Sequence, residues 1–172
     1  MQKQEFEFRK CLENGKKGES DVLEKLSKLY PDYYIKYVGD DKKYQEIDID
    51  FLMQKDEEEI KIEVKTDYTL YDNMFAELMS SEELGTTGCW LKTKSDYIIY
   101  YFVAKRIMYI LPTKQAQDIA LHSNWKIGRA FDKLIKNGKK VVKTSVGALI
   151  PVDKMLKLVN FTNSKFEKYI EL

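Results

Sequence analysis

Two runs of alternating apolar and polar residues constrain this chain more than any other feature. Ile47, Ile49, Phe51 and Met53 alternate with Glu46, Asp48, Asp50 and Leu52, and after the polar stretch 54–59 Ile60, Ile62 and Val64 alternate with Lys61, Glu63 and Lys65. Side chains two apart share one face of a strand. The pattern therefore predicts an antiparallel hairpin turning near Asp56-Glu57. Such a hairpin sets Asp50 level with Glu63, aims Glu63 and Lys65 the same way, and gives Asp48 the same face as Asp50.

The flanking residues predict helices and further strands. Phe8, Leu12, Gly15, Glu19, Val22, Leu26 and Leu29 step by four and three, which is one face of a long helix ending before Pro31. Gly15 and Gly18 weaken its middle. Strands are expected at 33–38, 97–104, 106–111 and 141–151, and a strand or short helix at 75–79. Helices are expected at 114–121, 127–136 and 153–158, the second closed by Asn137-Gly138. The order predicts an α/β protein of the α+β kind, a central mixed sheet flanked by helices, forming one domain over residues 1–172.

Composition removes several function classes. The two cysteines, Cys11 and Cys89, cannot build a disulfide framework and read as reduced thiols of a cytoplasmic protein. His122 is the sole histidine, so serine- or cysteine-type triads lack a credible base. The charged start MQKQEFEFRK lacks the apolar stretch of a signal peptide, and no run approaches the roughly 20 residues that cross a bilayer, so no membrane partner is expected.

The hairpin gathers chemistry. Asp50, Glu63 and Lys65 put two carboxylates and an ammonium on neighbouring strands. Clustered carboxylates repel unless a cation compensates them, and a hard divalent ion such as Mg2+ binds one or two carboxylates together with waters and substrate phosphate. Glu19 breaks an otherwise apolar helix face, a costly position for a lone carboxylate, and makes sense facing the same site. Gln45 and Glu77 are further candidates on the same sheet edge. A solvated strand face with cross-strand ion pairs, and for Glu19 a helix-start carboxylate, are the structural alternatives.

The ordered set of Glu19 in GKKGESDVL, Asp50 in DIDFL and Glu63-x-Lys65 in IEVK resembles the PD-(D/E)XK phosphodiesterase superfamily. The segment from Asp41 to Trp90 is similar to small phage- and prophage-associated members, and the likeness spans about 16–151. The resemblance implies a restriction-endonuclease-like core. It implies Asp50, Glu63, Glu19 and the Val64 carbonyl as ligands of Mg2+ or Mn2+, and Lys65 as the catalytic lysine. Ile49 stands where the family's motif has proline, which leaves Asp48 a rival to Asp50.

Net charge first argues against nucleic acid, because the total is only +1. Its distribution reverses that reading: residues 1–86 hold 13 Lys and Arg against 22 Asp and Glu, a net of −9, and residues 87–172 hold 16 against 6, a net of +10. Lys126, Arg129, Lys133, Lys136, Lys139, Lys140 and Lys143 stand against only Asp132, a stretch suited to gripping phosphates. The combined expectation is a Mg2+-dependent deoxyribonuclease. RNA carries the same phosphodiester and stays open, and a homodimer would suit the cutting of two strands. A non-catalytic nucleic-acid-binding module on the same fold, or a protein-interaction or inhibitor protein, are the competing expectations.

Overall fold

The helical spacing at the start of the chain yields one continuous helix, α1 (Gln2–Leu29), in a computed structural model that describes residues 2–122, 124–136, 139–162 and 164–172. Side chains are described within 15–122, 124–131, 142–162 and 164–172. Neither glycine splits α1. Gly18 instead lets it close on the sheet, because a Cβ there would stand 2.5 Å from the Thr66 side chain.

The chain continues through β1 (Tyr34–Tyr37), a helical turn α2 (Lys42–Gln45), and the expected hairpin of β2 (Phe51–Lys55) and β3 (Glu58–Asp67). Next come β4 (Asn73–Ser81), the short β5 (Thr86–Thr87), a helical turn α3 (Cys89–Lys92), β6 (Tyr97–Phe102) and β7 (Ile107–Pro112). α4 (Thr113–Leu121), β8 (Lys126–Lys136), β9 (Lys139–Pro151), α5 (Val152–Leu158) and β10 (Tyr169–Glu171) complete it. Six strands form one sheet in the order β1-β2-β3-β6-β7-β10, mixed because β3 and β6 run parallel while the other pairs are antiparallel. A parallel pair needs a long crossover. Here the crossover contains β4, β5 and α3, and with β9 and β8 it builds a second sheet in the order β5-β4-β9-β8.

The six-stranded sheet is covered on both faces. Even-numbered residues of β3, Ile60, Ile62 and Val64, join Val22 and Leu26 of α1 in one core. The opposite face packs Ile98, Tyr100 and Phe102 of β6 against Met74 and Ala76 of β4, Ala148 and Ile150 of β9, and Trp90 of α3. Burial on both sides explains why β6 reads YIIYYF without alternation. Its aromatic run is core, as the sequence suggested. No described helix is long and apolar enough to cross a membrane.

Two expectations are corrected. Residues 127–136, read as a helix, are strand β8, paired with β9 along its whole length from Lys126↔Leu149 to Lys136↔Lys139. Ile127, Phe131 and Ile135 recur every fourth residue, a spacing that satisfies both a helix and one face of a strand. Asn137-Gly138 between alternating runs is also the strongest short hairpin signal in the sequence, and cross-strand pairing wins. Second, the strand predicted from Ile47 begins at Phe51. Asp48 takes a left-handed backbone (φ 46°), which breaks the alternation and removes the shared strand face of Asp48 and Asp50.

Candidate active site

The hairpin register places Asp50 as expected. Phe51 pairs with Ile62, so Asp50, the residue before β2, comes level with Glu63. Its backbone is pinned from two sides: Asp50 N–H donates to Ile62 O at 2.9 Å, and Val38 N–H donates to Asp50 O at 2.8 Å. The side chain is fixed as well, because Val64 N–H donates to Asp50 Oδ2 at 2.8 Å. Val64 therefore belongs to the site through its amide.

Asp50 and Glu63 stand close enough for each to shift the other's carboxyl. Two carboxylates so close repel, which favours a proton on one of them. Burial drives this. It raises the Asp50 carboxyl to about 6, helped by the charges of Glu19 and Asp48 and opposed by the Val64 and Glu63 hydrogen bonds. Burial also raises Glu63 well above the carboxylate range, assisted by the charges of Asp50 and Asp48 and opposed by Lys65. The pair is thus a half-buried acidic site that favours a proton or another cation.

Glu19 reaches the site from α1. Its charge acts on Asp50, and it hydrogen-bonds the Tyr37 hydroxyl at the end of β1. Burial, that hydrogen bond and the charges of Glu19, Asp40 and Asp50 push the Tyr37 phenol upward. Beside them opens a cleft of about 330 Å³, lined by Lys16, Glu19, Tyr37, Asp40 and Phe51 among others. Asp48 stands on the loop before β2, where Lys92 Nζ donates to its Oδ1 at 3.1 Å and to Gln45 O at 3.1 Å. Thr93 Oγ1 donates to Asp48 O at 2.6 Å and helps hold that left-handed turn.

Lys65 faces the second sheet, as its odd position on β3 requires. Its Nζ lies 3.2 Å from Cys89 Sγ, and the Cys89 N–H donates to Glu77 Oε2 at 3.1 Å. Burial pushes Lys65 down, but the neighbouring Cys89, Glu77 and Glu63 outweigh it and hold the ammonium above the usual lysine range. Burial raises the Cys89 thiol to about 12 despite Lys65, so it is neutral at pH 7.

The sequence assigned Asp50, Glu63, Lys65 and Glu19 to one site; the structure sets Asp50 level with Glu63, brings the Glu19 charge to bear on Asp50, and turns Lys65 to Cys89. The sequence missed Tyr37, Cys89 and Lys92. Tyr37 ends a strand whose alternation was legible, so its arrival beside Glu19 could have been suspected. Cys89 and Lys92 lie on a single helical turn without periodicity, and nothing in the sequence pointed to them. Of the basic stretch, Lys126 is exposed and Lys143 half-buried. Arg129 is engaged by Glu82, with Nη2 2.8 Å from Oε1 and Nε 3.1 Å from Oε2. The side chains of Lys133, Lys136, Lys139 and Lys140 lie outside the described residues.

Among the described residues no three His, Cys, Asp or Glu side chains close into a ready cation cage. The donor chemistry of Asp50 and Glu63 nonetheless fits a hard divalent ion, being two oxygen donors whose charges are costly without a counter-cation. No protein-family model, curated protein or solved structure matches the chain.

Proposed function

We propose that the chain is a metal-dependent nuclease of the PD-(D/E)XK type, with a restriction-endonuclease-like core, that hydrolyses DNA phosphodiester bonds. One observation supports it above the rest: two half-buried carboxyls, Asp50 and Glu63, stand level on adjacent strands, both pushed upward, two residues from a charged lysine. A purely structural pair would gain little from such an arrangement, because burying a second carboxylate beside the first raises its cost. Asp50 and Glu63, supported by Glu19 and the Val64 carbonyl, would hold Mg2+ or Mn2+. When bound, such an ion offsets charge on a phosphoryl oxygen and makes water more acidic.

The chain's own groups do the rest. Lys65 remains protonated at neutral pH and is suited to steady charge on the phosphate and orient the attacking water. Glu19 lines the cleft with Tyr37 and would support the ion from the α1 side. Lys126 and Lys143 on β8 and β9 would meet backbone phosphates, and Arg129 would join them only after leaving Glu82. The reading assigns the protein to the cytoplasm, where the free thiol of Cys89 stays reduced. A homodimer would present one site to each strand of a duplex.

Purified protein should cut DNA in the presence of Mg2+ or Mn2+ and stop when the ion is chelated. Glu63→Ala and Lys65→Ala should each lower the rate at least about 100-fold. Undiminished cutting by both variants would overturn the assignment. Binding without cutting would favour a non-catalytic DNA-binding module.

A further inference from the structure

Lys65 poses a problem of placement. Its ammonium shares a strand face with Glu63, whose carboxyl acts on it, yet its hydrogen bond goes to Cys89 Sγ at 3.2 Å. A neutral thiol is a weak acceptor and does not hold an ammonium away from the neighbouring Glu63 carboxyl by itself. Another negative charge is therefore needed on the far side.

Glu77 supplies it. The residue is on β4 of the second sheet, and its carboxylate accepts from the Cys89 N–H at 3.1 Å. Gly88 N–H donates to Leu78 O at 2.9 Å, which ties the start of α3 to the same strand. A Cβ at Gly88 would stand 2.3 Å from the Glu77 carbonyl oxygen, so only glycine allows α3 to sit this close. Glu77 and the Cys89 thiol thus form one unit on the side of Lys65 away from the hairpin. Burial would raise the Glu77 carboxyl, but the charge of Lys65 and the Cys89 N–H outweigh burial and keep it ionised. With the thiol neutral at pH 7, the carboxylate balancing Lys65 on this side is Glu77.

We infer that Glu77 is a positioning residue: acting with Cys89, it draws the Lys65 ammonium toward the second sheet and so leaves Asp50 and Glu63 free to take a cation. Its consequence for catalysis rests on the nuclease reading; the tether itself does not. Without Glu77, Lys65 would collapse onto Glu63 and compete with the ion for its oxygens.

The test compares Mn2+ binding by calorimetry in the full chain and in Glu77→Gln, Lys65→Met and the double variant. Glu77→Gln should bind Mn2+ about tenfold more weakly, while Lys65→Met should bind at least as tightly as the wild type. The double variant should match Lys65→Met, because Glu77 acts only through Lys65. Equal binding by Glu77→Gln and wild type, or a double variant as weak as Glu77→Gln, would overturn the inference. Should Glu77→Gln fail to fold, Glu77→Asp replaces it, with a smaller loss expected and no loss counting against the inference. Should the wild type bind no Mn2+, the metal reading falls, and the nitrogen-15 NMR signal of the Lys65 ammonium decides the tether. That signal should be slow to exchange in wild type and lost in the Glu77 variant; persistence in the variant overturns the tether.

Discussion

At the scale of single residues, Asp50 determines how the protein responds to pH. Its folded carboxyl titrates at about 6, above the ordinary 3.8, so the folded state binds this proton more tightly than the unfolded chain does. The associated stability is fully present below about pH 4 and is lost as pH climbs through about 6. At pH 8 without a cation the folded protein bears a cost of about 3 kcal/mol from this group. Asp50→Asn removes the charge and retains an oxygen to accept the Val64 N–H. The variant should therefore melt several degrees higher than wild type at pH 8 in chelator, with little difference at pH 4. A melting temperature at pH 8 equal to or below wild type would contradict the burial cost assigned here. The same substitution should abolish cutting, so stability and activity move in opposite directions at one residue.

At the scale of elements, the second sheet and α3 meet Lys65 of the first sheet through Cys89 and Glu77. β4 and α3 support Lys65 from behind, and their contact depends on Gly88, whose ordinary φ of −77° means that space, not backbone freedom, demands glycine. Gly88→Ala would drive a methyl into the Glu77 carbonyl and should cost about 1–3 kcal/mol, read as a lower melting temperature together with slower cutting. A melting curve like that of wild type would mean that α3 and β4 separate without cost. This layer was the least legible part of the fold. The β2–β3 hairpin was readable because its alternation, turn and register follow from local sequence. β8 was misread because residues spaced by four satisfy both periods, and Asp48 was misplaced because one left-handed residue ends an alternation without altering its pattern of polarity. The approach of Cys89 and Glu77 to Lys65 depends on a crossover between sheets, for which local periodicity contains no information.

At the scale of the whole molecule, the division of charge becomes a division of labour. The acidic part of the chain supplies α1 and the β2–β3 hairpin, and the basic part supplies the β8–β9 hairpin, so on the proposed nuclease reading a phosphate backbone would be attracted by one region and repelled by the other. The sequence totals of −9 and +10 made this division legible, but not its form, because the basic stretch is a two-stranded ribbon rather than a helix. On that reading phosphate would approach Asp50 and Glu63 only when their charge is compensated. Wild-type protein should therefore bind DNA weakly in chelator and more tightly in Ca2+, an oxygen-seeking ion suited to measuring binding apart from cutting. The Asp50→Asn, Glu63→Gln double variant has the repulsion removed in advance. It should bind more tightly than wild type in chelator, gain almost nothing from Ca2+, and keep the steep loss of affinity with salt that the basic ribbon contributes. Fluorescence anisotropy with labelled duplex at several salt concentrations reads all three quantities. A double variant that still responds to Ca2+ as wild type does would place the cation's effect elsewhere on the molecule and detach Asp50 and Glu63 from phosphate binding.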